Sequence, residues 1–201
     1  VQFSRARVAV TITVTALLFT GATAFASPSD AATRALSRFD DGSFEYQKAP
    51  ANSFSELGTG QGIGPWQVTS GTVDLIGAGF WQAAEGDQSV DLNGSGPGTI
   101  AQSFTTTAGT AYRVSYDLAG NPQLGPSVKT GKALIDGQDF QDFSFDITGK
   151  SSTDMGYVGR AFTFVATGSS TTLAFTATSP GAAGPVLDNV QVQACNACPS
   201  C

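Results

Sequence analysis

The 201 residues of this chain include no histidine. Ser-His-Asp and Cys-His catalysis are therefore excluded, and so are His-ligated metal sites. The three cysteines, Cys195, Cys198 and Cys201, crowd into the C-terminal "CNACPSC". Zinc wants four ligands, so this tail reads as one disulfide plus a free or intermolecular thiol. The spare thiol would allow attachment to a surface protein. Chemistry is left to carboxylates, amides and aromatic rings, and these gather in "GFWQAAEGDQSVDLNGSGPGTI", residues 79 to 100. Aromatic faces stack on pyranose rings, and amides and carboxylates bond the hydroxyls. Trp81, Gln82, Asp91 and Asn93 are the candidate carbohydrate-binding residues on that ground. Trp81 lies in a polar run and is either a sugar platform or a plug beneath a loop. Asp91 and Asn93 alternate with Val90 and Leu92, which turns them away from the core, toward a site or toward solvent. Phe80 and Tyr157 are further aromatic candidates, whereas Trp66, after Gly-Pro, reads as core. Asn93-Gly94-Ser95 also matches a glycosylation acceptor.

A second constellation centres on Asp188 in "GPVLDNVQV". As a strand, this segment puts Val186, Asp188, Val190 and Val192 on one face, and three valines mark that face as buried. A buried carboxylate needs a cation or several donors. Two readings stay open: an Asp bonded to backbone amides, or a calcium ligand. In "DDGSFEYQ", Glu45 stands between Phe44 and Tyr46, which are expected to point inward. First and last strands of a sandwich can be neighbours, so Glu45 and Asp188 can meet with a cation between them. One other chemistry falls away, and a second stays open without a candidate pair. "GPSVKTGKA" has one residue too many between its glycines for a phosphate loop, and Ala133 stands where Ser or Thr is required. No pair of acids is singled out by spacing as a glycosidase pair.

The elements that position these residues are short strands. "YRVSYDL" places Tyr112, Val114, Tyr116 and Leu118 on one face, and "DFSFDI", "AFTFVA" and "TTLAFTA" show the same period of two. "TGSS" between the last two reads as a hairpin turn. Such runs at regular spacing predict an all-β antiparallel sandwich or jelly roll, with a closed barrel as the alternative.

Residues 1–26 read as a secretory signal peptide: Arg5 and Arg7, then an apolar run, then Ala24-Phe25-Ala26. Residues 27–38 read as a linker, 39–194 as one β-sandwich domain and 195–201 as the cysteine tail. Cleavage removes two cations and no acid, so the net charge becomes −8 rather than −6. That balance opposes nucleic acid and anionic membrane as partners, and no stable membrane span is expected after cleavage.

"DGSFE", "PWQVTSGTVDLI", "FWQAAEGDQSVDLNG", "GTIAQSF", "YRVSYDLAGNP" and "GPVLDNVQV" follow one another in an order that resembles the bacterial choice-of-anchor C family. That family is similar to a plant cell-wall family of secreted galactose-binding-like proteins. The resemblance runs from Asp41 to Val192. It implies a galactose-binding-like jelly roll, exported and associated with the cell surface or wall. Related carbohydrate-binding jelly rolls hold a structural calcium between an early Glu and a late Asp, which by motif are Glu45 and Asp188. Members often carry a C-terminal sorting or anchoring signal, where this chain has its cysteines. The expectation is a non-catalytic extracellular domain that binds polysaccharide or glycan, with calcium as a structural ion. A structural or adhesive surface protein with a protein partner is the alternative, and a glycoside-active enzyme the third.

Overall fold

The computed structural model describes residues 38–195. The expected signal peptide, nearly all of the linker, Cys198 and Cys201 lie outside the described residues. In chain order the strands are β1 (Phe54–Gly58), β2 (Gly62–Ile63), β3 (Trp66–Ser70), β4 (Thr72–Ile76), β5 (Ser89–Asp91) and β6 (Thr99–Thr105). They continue as β7 (Ala111–Gly120), β8 (Val128–Ile135), β9 (Gln138–Asp146), β10 (Val158–Val165), β11 (Ser170–Ala177) and β12 (Pro185–Ala194). Two six-stranded sheets result, ordered β1-β4-β5-β12-β7-β10 and β2-β3-β6-β11-β8-β9, with antiparallel pairing. This is a sandwich rather than a closed barrel.

The period of two builds the core. Val114, Tyr116 and Leu118 of β7 face inward, and Leu173 and Phe175 of β11 face them from the other sheet. The Tyr116 and Phe175 rings lie 5.0 Å apart, centroid to centroid. Trp66 is core, as its sequence context indicates, packed on Phe39, Phe44 and Phe175 with its indole N–H donating to the Asp41 carbonyl. Each such fully buried aromatic contributes about 2–3 kcal/mol through the area it removes from water.

Three local expectations are corrected. First, β10 and β11 do not form a hairpin. β10 pairs with β7 in one sheet and β11 with β6 and β8 in the other. Phe164 on β10 and Phe175 on β11 both point into the shared core, so the "TGSS" turn must carry the chain across the sandwich. Second, Tyr46 is exposed, and its hydroxyl donates to Asp40; only Phe44 turns inward. The segment holding Glu45 is not a strand. It docks on β12 through the Val190 N–H to the Gly42 carbonyl, and a Cβ on Gly42 would lie 1.7 Å from the Val190 oxygen.

Third, Val186, Asp188, Val190 and Val192 do not share a face. Asp188 pairs with Asp117, but the next pair is Gln191 with Ser115, so β12 carries one extra residue. Asn189 absorbs it with a φ of 49° and donates its amide to Asp117. A bulge of this kind reverses the alternation. Val186 and Asp188 lie on the outer face of their sheet, and Val192, paired with Val114, on the inner one.

Candidate functional site

The outer face of the β1-β4-β5-β12-β7-β10 sheet is covered, not solvated. Loop 77–88 lies over it, zipped to residues 152–155 by the Gln82 N–H to the Ser152 carbonyl and the Met155 N–H to Gln82 Oε1. Tyr157 lies over the same face, its hydroxyl buried near Ser89 without a hydrogen bond of good geometry. This cover changes the meaning of the candidate residues.

Trp81 is only 5% exposed, and its indole N–H donates to Ser89 Oγ at 2.9 Å. It is the plug beneath the loop, not an open sugar platform. Asp91 and Asn93 do face away from the sandwich core, but both are 0% exposed. Asp91 accepts from the backbone N–H groups of Asn93 and Gly184 and from the Asn121 amide. Burial pushes its pKa up to about 7, against the pull of those donors. Asn93 donates to the carbonyls of Ser179 and Gly181, so its amide is tied into the fold and closed to glycosylation in the folded chain. These two side chains therefore knit three loops at one end of the sheet. Gln82 is exposed, but its carbonyl holds Met155.

The sequence expects Glu45 and Asp188 to meet across a cation; in the fold each holds a neighbouring stretch of the 84–88 loop through backbone amides. Asp188 Oδ2 accepts from the N–H groups of Ala84 and Glu85 at 2.7 and 2.9 Å, and Oδ1 from Asn189. Glu45 Oε1 accepts from Asp87 and Gln88, and Oε2 from the Lys48 ammonium. Gly86 lies between the two anchors at φ 62°, where a Cβ would fall 2.5 Å from Glu45 Oε1. Asp188 is fully buried, and burial pushes its pKa up to about 7 although three amides oppose it. A carboxylate offers about four acceptor sites, so each acid keeps one free, on Asp188 Oδ1 and Glu45 Oε2. Hard oxygens of this type suit calcium, whose shell of about six to eight oxygens would need backbone carbonyls and water as well. Among the described residues, no group of three or more Cys, Asp or Glu is arranged to hold a metal.

A cleft of about 280 Å³ opens on the same sheet face beside Trp81. Its floor is Phe54 and Glu56 from β1 and Asp74 and Ile76 from β4. The covering loop adds Phe80 and Trp81, and the far bank carries Ser95, Asn121, Gln123 and Leu124. Phe54 is 44% exposed and meets Phe80 edge-on at 5.7 Å, and Phe80 packs on Trp81 at 5.3 Å. The indole thus backs an aromatic wall that Phe54 and Phe80 present. Below that wall, Glu56, Asp74 and Asp91 stand in one rank across β1, β4 and β5. Glu56 accepts from the Ser95 hydroxyl at 2.6 Å and from its N–H. Asp74 has no donor among the described residues: it is 9% exposed and its Oδ1 is buried without a partner. Burial, and then the neighbouring Glu56, push its pKa up to about 6. Like charges directly opposite on adjacent strands destabilise a sheet, and a bare buried carboxylate adds to that. Local conflicts of this kind concentrate at functional sites.

Phe54, Glu56, Asp74 and Asn121 went unread in the sequence. The available signal was an acid on the alternate positions of two short strands, "FSELG" and "TVDLI". The pairing of those strands with each other is a tertiary fact.

Comparisons with known proteins can be set beside this geometry. Over 159 residues the chain is 31% identical to halomucin of Haloquadratum walsbyi, covering 76% of this chain but 2% of that protein. The chain thus spans a small fraction of the curated relative it matches. Among solved structures it is similar to CBM35 from Paenibacillus barcinonensis, at 15% identity and a TM-score of 0.44, covering 69% of this chain and 98% of that one. It is also similar to a family 35 carbohydrate binding module from Clostridium thermocellum, at 12% identity and a TM-score of 0.47, covering 69% and 97%. The CBM22-1 xylan-binding domain from Paenibacillus barcinonensis matches at 22% identity and a TM-score of 0.43, covering 73% and 97%. A family model described as "Protein of unknown function (DUF642)" matches residues 37–193, most of the chain, and the protein belongs to that DUF642 family.

Proposed function

We propose that this protein is a non-catalytic carbohydrate-binding β-sandwich and that the cleft beside Trp81 takes the sugar. The observation that carries this reading is an aromatic wall, Phe54 and Phe80, above a bare carboxylate acceptor, Asp74. An apolar platform with a few placed polar groups is what pyranose rings require. Catalysis of glycoside hydrolysis needs two carboxyl groups flanking the scissile bond. Glu56 and Asp74 are side by side on the floor, and the far bank carries amides and a hydroxyl instead. The match to a stretch of halomucin supports an extracellular or surface setting. The choice-of-anchor C branch, with export by residues 1–26, is the finer form of this reading.

The test is retention on insoluble polysaccharides and titration with soluble oligosaccharides. Phe54→Ala is expected to weaken binding at least tenfold, a ratio of about 1.4 kcal/mol, with melting nearly unchanged because the ring is half exposed. Failure of the folded wild type to bind any polymer sinks the reading.

Calcium belongs to the proposal as a structural ion at Glu45 and Asp188. What supports it is a buried Asp188 whose hydrogen-bond partners are backbone amides and include no cation. An ion there would keep Asp188 ionised and tie the 84–88 loop to the first and last segments of the domain. For protein first stripped of metal, millimolar calcium is expected to raise the melting temperature, because the ion binds the folded state alone. Identical melting in chelator and in calcium removes the ion from the account and leaves the amide anchors intact.

A further inference from the structure

The cleft is one-sided in charge. Glu56 and Asp74 are cross-strand neighbours on its floor, and Asp91 continues the rank on β5. Among the described residues, no lysine or arginine lines it. Lys129, whose ammonium lies against the loops behind the far bank, is occupied by the carbonyls of Leu124 and Ala183. Glu56 has two donors from Ser95, so its charge is held in place but not neutralised.

Asp74 supplies the second, independent observation. It is nine-tenths buried, lines the cleft and has no hydrogen-bond donor from the protein. A buried acceptor without a protein donor costs the free protein stability, and a ligand hydroxyl can supply that donor. A small turn about χ2 presents either oxygen to the cleft. Sugar hydroxyls donate readily to carboxylates, and the bond is stronger for the charge. A uronate places a third carboxylate against two that have no cation between them. Repulsion of that kind is a device of specificity as much as a loss of affinity.

We propose that the cleft selects neutral pyranose chains, with Asp74 accepting a sugar hydroxyl and the Glu56–Asp74 pair turning uronates away. This rests on the glycan-binding reading and goes beyond it by naming the sugar class and the residues that set it.

The experiment is titration of the full chain, followed by tryptophan fluorescence, because Trp81 backs the aromatic wall. The probes are oligosaccharides matched except at C6: gluco- against glucurono-, and galacto- against galacturono-oligosaccharides, each in chelator and in millimolar calcium. At least one neutral chain is expected to bind, and its uronate partner to bind at least tenfold more weakly and fail to displace it. Asp74→Ala is expected to weaken the neutral chain about tenfold. A uronate that displaces the neutral chain from wild type at equal or lower concentration, with or without calcium, overturns the selectivity while leaving glycan binding standing. Absence of binding by any probe, neutral or acidic, removes both. The wild-type comparison decides the matter even if a variant folds poorly.

Discussion

Asp74→Asn is expected to make the protein more stable and a poorer binder at once. The side chain keeps its shape and loses a buried charge that has no donor and faces Glu56 across two strands. Loss of the buried charge and of its repulsion by Glu56 is worth about 1 kcal/mol, or about 2–4 °C in melting temperature for a domain of this size. The gain depends on pH in a definite sense. The folded-state pKa is raised, from 3.8 to about 6. Between those values the folded wild type holds more protons than the unfolded chain, so this residue makes stability fall as pH rises through that window. Asn does not titrate. The advantage of the variant is therefore absent below about pH 4, grows to about pH 6 and stays level above. Melting curves of both proteins from pH 4 to 8 check this. Binding is expected to move the other way, about tenfold weaker, because an ionised acceptor for the sugar hydroxyl is gone. A variant that gains stability and loses a ligand is the signature of a residue kept for function. A variant that melts lower at pH 7.5 contradicts the description of Asp74 as bare.

Asp188→Ala is expected to destabilise the fold by about 3 kcal/mol, which is about 6–12 °C. It removes a fully buried carboxylate and leaves the part-buried backbone amides of Ala84, Glu85 and Asn189 without their acceptor. The first two fix one end of the 84–88 loop, and Glu45 fixes the other through Asp87 and Gln88. Glu45→Ala is expected to do less, because Glu45 is partly exposed and water can replace it. Hydrogen exchange separates the two ends: Asp188→Ala should deprotect the amides of Ala84 and Glu85 first, and Glu45→Ala those of Asp87 and Gln88. If calcium bridges the pair, chelation and Asp188→Ala should not add, since each removes the same bond. Unchanged melting in Asp188→Ala would refute the anchoring account.

Much of the architecture was legible residue by residue. "YRVSYDL" alternates as β7 does, and Phe143, Phe145, Phe164, Leu173 and Phe175 all turn inward. Trp66 sits in the core, as its Gly-Pro context indicates. Where the reading failed, an outside contact decided. Asp91 and Asn93 point away from the core just as their alternation says, yet they are buried because a loop covers that face. Period-two patterns report which side of a strand a residue is on, and they do not say what lies against that side. The β12 bulge is a similar case: one extra residue at Asn189 reverses the alternation, and only pairing with β7 reveals it.

The sequence by itself determined the class of the fold and the exclusion of histidine chemistry. Those follow from composition and from local periodicity, which act over a few residues. The tertiary structure alone decided where a ligand fits. The cleft joins β1, β4, loop 77–88 and the segments around Ser95 and Asn121, with Glu56 and Asp74 brought side by side by antiparallel register. Long-range pairing sets that register, and no local pattern encodes it. Trp81 shows the same division: its polar neighbours are plain in the sequence, and its indole is buried because Ser89 and Phe80 meet it in the folded sheet.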